Sequence, residues 1–199
     1  MKKIILILLI LFFIPLISSA ATFGYTSAGA TQSSGHGNEI VASYASSTFT
    51  GVGNILSISG SMAKTTSDGL AKAVLYDSSK NLMNPESEEK SINTTKQWYT
   101  FNITNGQTIT SGNNYYISIL GNTYVSYYYD AGGKTGWHYV GRLYSNGFPS
   151  SASFVSIGSY SISIYATYST SSASTYSRTS TTTINNGRIQ INNGRLNIK

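Results

Sequence analysis

Beyond residue 21, apolar and polar positions alternate with a period of two in run after run, and no apolar stripe recurs every 3.6 residues over three turns. Such alternation builds strands with one buried and one wetted face. The clearest run is 160–168, where Tyr160, Ile162, Ile164, Ala166 and Tyr168 share one side, and Ser161, Ser163, Tyr165 and Thr167 share the other. Comparable runs at 39–44, 54–62, 70–77, 98–103, 115–120, 125–130 and 137–144, with weaker ones at 22–26 and 88–92, are separated by turn residues. Examples are Asp68-Gly69, Asn105-Gly106, Ser111-Gly112-Asn113 and Gly132-Gly133. Roughly ten strands in about 150 residues predict one all-β domain over 22–169, a two-sheet antiparallel β-sandwich or a barrel, because half that length is too little chain to cover a core of this kind.

The two ends depart from this pattern. Lys2 and Lys3 precede an apolar run over 4–17, broken by Pro15 and followed by Ser18-Ser19-Ala20-Ala21. A helix of that length rises only about 21 Å, short of a hydrocarbon core of roughly 30 Å. The pattern therefore predicts a secretory signal peptide over 1–20, cleaved after Ala20 or Ala21, with an uncleaved anchor as the alternative. Cleavage leaves no membrane span and places the domain outside the cell or on its surface. At the other end, 170–183 is a Ser/Thr-rich linker, and 184–199 carries a seven-residue repeat, Ile184-Asn-Asn-Gly-Arg-Ile-Gln190 followed by Ile191-Asn-Asn-Gly-Arg-Leu-Asn197. Asn-Asn-Gly disfavours a helix interior, whereas Asn186-Gly187 and Asn193-Gly194 are hairpin signals. The tail is expected to form a small β-repeat that docks on the body, on a partner or on copies of itself, so that 184–198 is a candidate for self-association; a frayed terminus is the plainer alternative.

Composition narrows the chemistry. The 199 residues include no Cys, which excludes a disulfide framework, a thiolate zinc site, a cysteine nucleophile and a lipoprotein anchor. Charged residues at 10% and aromatics at 13% do not fit a disordered solvating chain. The net charge of +6 is not a nucleic-acid footprint: residues 22–170 hold seven basic and seven acidic side chains, and the excess sits in the leader and the tail. His36 and His138, the two histidines, stand outside any Gly-x-Ser-x-Gly setting, and seven carboxylates placed mostly in turns offer no obvious pair for glycosidase chemistry, so an enzyme is not expected. No cofactor is expected either. A structural Ca²⁺ site using Glu39, Asp68 or Asp130 with backbone carbonyls stays open, although no Asp-x-Asp-x-Asp run is present. Asn93-Thr-Thr95 and Asn102-Ile-Thr104 are N-glycosylation sequons of the kind that an Asn/Ser/Thr-rich chain produces by chance.

The segment 125–144 concentrates the groups suited to recognition: six aromatics, a histidine, an Asp and an Arg on two runs joined by a Gly-rich loop. Sugars are held by stacking on rings while polar groups take the hydroxyls. Tyr128, Asp130, Trp137, His138, Arg142 and Tyr144 are the candidate ligand-binding residues. On the first run Tyr127 and Tyr129 share parity with Val125 and point inward, leaving Tyr128 and Asp130 outside; on the second, Trp137, Tyr139 and Leu143 alternate with His138, Val140, Arg142 and Tyr144, and the loop does not settle which set faces out. The competing reading is a tyrosine-packed core with a solvated Asp–Arg pair.

Several pieces, Ala71-Lys-Ala-Val-Leu-Tyr-Asp77, Trp98-Tyr-Thr-Phe101, Ser111-Gly-Asn-Asn-Tyr-Tyr-Ile-Ser-Ile119, Tyr127-Tyr-Tyr-Asp130, Phe148-Pro149 and Tyr160 to Tyr168, resemble the jelly-roll modules of the galactose-binding or carbohydrate-binding type in secreted and cell-surface proteins of bacteria and archaea. The resemblance covers 22–169 and implies a jelly-roll form of the two-sheet antiparallel β-sandwich, and a location, more than an activity. Such modules bind or space, so the expectation is a non-catalytic binder of glycan or cell-surface material, with a structural or assembly protein acting through the tail as the alternative.

Overall fold

The computed structural model describes residues 19–33, 36–48, 51–65, 69–83, 85–133 and 136–170, with backbone alone for 19, for 136–137 and for 183–184, 189–192 and 195–198. The expected leader, apart from Ser19 and Ala20, and most of the linker lie outside the described residues, as does Asp68. The body is built of β1 (Ser19–Gly24), β2 (Thr31–Ser33), β3 (Glu39–Ser46), β4 (Val52–Lys64), β5 (Gly69–Asp77), β6 (Lys90–Ile92) and β7 (Gln97–Asn102). It continues through β8 (Thr108–Thr110), β9 (Asn114–Gly121), β10 (Val125–Ala131), β11 (Gly136–Gly141), β12 (Val155–Ser156), β13 (Tyr160–Ile162) and β14 (Ile164–Thr170). The only helical element among the described residues is a single 3-10 turn, Tyr144–Asn146.

These strands form two antiparallel sheets. Sheet A is organised on the long β4, which carries β14 and β10 along one edge and β7 and β8 along the other; β1 extends it beyond β14, while β2 and β13 flank β10. Sheet B runs β12-β11-β3-β9-β5-β6. The chain crosses between sheets at β2–β3, β3–β4, β4–β5, β6–β7, β8–β9, β9–β10, β10–β11 and β12–β13, so the two sheets are interwoven along the chain and face one another across a common core, as in a sandwich. Between the sheets lie Val41, Leu75, Ile117 and Ile119 from sheet B and Ile58, Met62, Phe101, Tyr127, Ile162 and Ile164 from sheet A, all fully buried. At roughly 1.5–3 kcal/mol per buried side chain, this layer is what holds a disulfide-free sandwich together.

The structure amends the sequence pattern in three places. The run 160–168 breaks at Ser163, where the chain changes neighbours: the Ser163 amide donates to Tyr128 and its carbonyl accepts from Ser61, passing the strand from β10 to β4. Ile162, Ile164, Ala166 and Tyr168 stay in the core, but Tyr160, past the break, is exposed and meets Tyr129 edge-on at 5.3 Å. The run 137–144 ends as a strand at Gly141. Arg142 then turns inward on the chain, its Nε donating to the Gly147 carbonyl and its Nη2 to that of Asn146, both at 2.8 Å, while Asn38 Oδ1 accepts from the Tyr144 amide. Finally, sheet B is buried on both faces. Ile40, Ala42, Val74, Tyr76, Tyr116 and Leu120 point away from the central core and are covered by Phe148, Ala152 and Phe154 of the segment 142–154, which lies across them.

In the tail, β15 (Thr183–Ile184), β16 (Ile189–Asn192) and β17 (Arg195–Ile198) form a separate small sheet. Asn192 pairs with Arg195 antiparallel across the second Asn-Gly, whereas β15 runs parallel to β17.

Candidate functional site

The segment 125–144 is not one surface. Its two strands belong to different sheets, β10 to sheet A and β11 to sheet B, so the connecting residues cross the sandwich edge and the six candidate residues divide between two faces. On β10, Val125 and Tyr127 are buried in the core, and Tyr128 and Asp130 stand on the outer face of sheet A with Ser126. On β11, His138 and Val140 pair with Ala42 and Ile40 and share their outward side of sheet B. Trp137 pairs with Ser43 through the backbone; its side chain lies outside the described residues.

On sheet B the candidates are absorbed by packing. The His138 ring meets Tyr44 at 5.6 Å and Tyr116 at 5.2 Å, both edge-on, and Tyr116 stacks on Phe154 at 4.6 Å with 13° between planes. Tyr144 donates from its hydroxyl to Glu89 Oε2 at 2.8 Å and carries the Lys72 ammonium 5.4 Å from its ring centroid. Burial and then the Glu89 carboxylate push its phenol well above the ordinary tyrosine range. Arg142 is committed to the turn carbonyls just described. These side chains fasten the 142–154 segment to the sheet.

Sheet A presents a different outer face. Below its rim runs a row of small hydroxyls, Ser57, Ser59 and Ser61 on β4, continued by Ser126, Ser161 and Ser163, all nearly or fully buried. Trp98 of β7 stands opposite Ser61 and Tyr165 of β14 opposite Ser59; the two half-buried rings meet across this row, 5.1 Å between centroids at 63°. Ser59 Oγ and Thr100 Oγ1 lie 2.8 Å apart, but Ser61 Oγ and Ser126 Oγ have no hydrogen-bond partner despite their burial. Beside them the Lys96 ammonium sits 4.4 Å from the Tyr128 ring centroid and donates to the Gly29 carbonyl. Asp130 accepts from the Ala30 amide at 2.8 Å and from the Tyr25 hydroxyl at 2.7 Å, and Gly29 donates to Ser163 Oγ at 2.7 Å. Lys96, Asp130 and Ser163 thus tie down a strap, residues 25–30, along one end of the face. The Gly29 backbone lies so close to that of Tyr129 that any Cβ there would collide with it, at 2.4 Å.

Hydrogen bonds shape the electrostatics of this end. The Ala30 amide and then the Tyr25 hydroxyl hold the Asp130 carboxyl below its usual value, and Tyr25 is raised in return, chiefly by the same bond. Elsewhere, His36 Nδ1 and Glu39 Oε2 lie 2.5 Å apart near Tyr139. Among the described residues no three His, Asp or Glu side chains gather as a metal-holding group, and no helix is long and apolar enough to cross a membrane.

Sequence reasoning therefore picked out two residues of this face, Tyr128 and Asp130, and missed Trp98, Tyr165, Lys96 and Tyr25. One signal was available: Tyr165 occupies the polar side of the most regular run in the chain, a side where a large ring is out of place unless it has work at the surface. No family model matches the chain, and no curated protein matches it.

Proposed function

We propose that this protein is a non-catalytic, secreted or cell-surface binding module that takes glycan on the outer face of sheet A, with Trp98 and Tyr165 as the stacking rings, Tyr128 beside them, and Lys96, Asp130 and Thr100 as polar partners. The observation that carries the reading is the Trp98–Tyr165 pair: two half-exposed rings set over a row of hydroxyls on an antiparallel sheet face, with charged groups at one end. Aromatic rings give area and orientation to the C–H faces of a sugar, and the surrounding side chains discriminate among its hydroxyls. The groups that turnover would need, a poised acid and base facing one another, are not part of the reading. The test is retention on a panel of polysaccharides, using protein made in a host without N-linked glycosylation. Wild type should be retained on at least one polymer, and Trp98→Ala and Tyr165→Ala should lose retention while keeping the wild-type circular dichroism spectrum. Equal retention of the folded mutants, or none by wild type, overturns the assignment.

A second reading, assembly through the tail, draws on one specific observation. Thr183 pairs with Asn197 and Ile184 with Ile198, a spacing of two seven-residue repeats, so one repeat lies against another in parallel. Chains that pair with their own repeat offer the same edge to a second copy. Sizing the protein with and without 170–199 tests this: identical monomers in both cases dispose of it.

A further inference from the structure

We infer that Asn102 is an N-glycan acceptor and that its oligosaccharide lies back over Trp98 and Tyr165, so that the aromatic face of sheet A is covered by sugar that the protein itself carries. The inference rests on the reading of that face as a sugar-binding surface, and names its occupant. Of the two sequons in the chain, Asn102-Ile-Thr104 begins on the last residue of β7. Asn102 and Thr104 are exposed, while Ile103 between them is buried, so the acceptor amide and the hydroxyl that defines the sequon both face water. Asn102 pairs with Ser57 as Trp98 pairs with Ser61, which puts Trp98, Thr100 and Asn102 on one side of β7, the outer side of sheet A. Four residues of strand separate the acceptor from the indole, about 13 Å at the rise of an antiparallel strand, a span that a few linked sugars cover. The second sequon, Asn93-Thr-Thr95, is exposed just before the other end of β7, so the two acceptors bracket the rings.

β7 supplies a further reason for sugar here. Its ladder bonds go to β4 alone among the described strands, and on its other edge only the Asn102 amide is met at its own end, by Glu88 Oε1 at 3.0 Å, so an edge that side chains cap only in part is a template for unwanted pairing. A glycan rooted at Asn102 blocks that edge and the rings together. In the transfer, the anomeric carbon of an oligosaccharide carried on a lipid-linked phosphate donor forms a bond to Asn102 Nδ2, and the bond from that carbon to the phosphate oxygen breaks. The lipid phosphate leaves with the electron pair, and the amide proton passes to base.

The experiment is secretion of the full chain from a cell that performs N-linked transfer, with a control protein carrying a known acceptor. Intact mass should exceed that of the polypeptide, and Asn102→Gln and Thr104→Ala should each remove the same increment. Acrylamide quenching of the Trp98 contribution, isolated by comparison with Trp98→Phe, should be weak in the glycosylated protein and rise in both acceptor variants. An unmodified Asn102 beside a modified control overturns the inference, and so does a modified Asn102 with Trp98 quenched equally in wild type and variants. Neither result bears on the polysaccharide test above, which uses unglycosylated protein.

Discussion

On the outer face of sheet B, Tyr76 and Tyr116 close against Phe154 of the 142–154 segment; on the outer face of sheet A, Trp98 and Tyr165 meet over serines and stay half-exposed. The rings are of one kind and the settings are not. Beneath the sheet B rings lie Ile40, Ala42, Val74 and Leu120, so burying aromatic area there removes apolar surface on both sides and adds a second core. Beneath the sheet A rings lie hydroxyls, two of them without a partner, an arrangement that gains little from burial. What surrounds a ring, more than how many rings there are, separates a stabilising cluster from rings left half-exposed.

The strongest way to break this comparison is Phe154→Ala. Phe154 is 7% exposed, stacks on Tyr116 and meets Tyr76 edge-on at 5.4 Å. Its removal should cost about 3–5 kcal/mol, against under about 1 kcal/mol for Trp98→Ala, both read from urea unfolding. Equal losses would mean that the two faces are energetically alike. A smaller effect belongs to Tyr76→Phe. The Tyr76 hydroxyl donates to the Pro149 carbonyl at 2.9 Å, and burial pushes that phenol far above the ordinary range. Its loss should lower stability by about 1 kcal/mol, and a gain on mutation would contradict a fastening role. The same burial, with that of Tyr127, gives an alkaline limit. Phenols raised in the folded state keep their full contribution below about pH 10 and lose it as pH climbs from there toward the folded values, so unfolding should set in above that pH.

The strands that carry this contrast were legible in the sequence, whereas the contrast between their outer faces was not, for a physical reason. Alternation identified β3, β4, β5, β9, β10 and β14, because a strand that buries one face writes its parity into consecutive residues. It misjudged β3, β5 and β9 as one-sided: Ile40, Val74 and Tyr116 are covered from outside by residues 32 to 114 positions away, and a local pattern does not carry that information. The segment 125–144 misled for the opposite reason. Closeness along the chain suggested one surface, whereas the chain crosses from sheet A to sheet B between Ala131 and Gly136, setting Tyr128 and Asp130 apart from His138, Arg142 and Tyr144. Trp98 and Tyr165 come together only because β7 and β14 lie on opposite edges of β4, a pairing that no local window reveals.

A finer test of the sheet A floor is Ser61→Ala or Ser126→Ala. Each hydroxyl is buried without a partner, so exchanging it for hydrogen should leave stability unchanged or raise it by up to about 1 kcal/mol. A loss above that, by urea unfolding, would show that these serines support the fold as the sheet B rings do, and the contrast between the faces would narrow.

The smallest expected effect is local and concerns the strap. Asp130 is held ionised by the Ala30 amide and the Tyr25 hydroxyl, so its folded pKa lies below its unfolded one. The sign follows: the contribution is complete above the ordinary carboxylate value of about 4 and is lost as pH falls through the folded value, with no change between pH 5 and 8. Because the carboxylate is open to solvent, global unfolding should scarcely register it, and the readout has to be local. In wild type the Tyr25 phenol should titrate above the ordinary value of about 10, since ionising it would place two anions side by side; in Asp130→Ala it should move back toward that value. The Ala30 amide should lose exchange protection in the mutant at neutral pH and in wild type only under acid. If Tyr25 titrates identically in both proteins, Asp130 does not hold the strap, and the end of sheet A nearest Lys96 and Tyr128 is as open as the rest of that face.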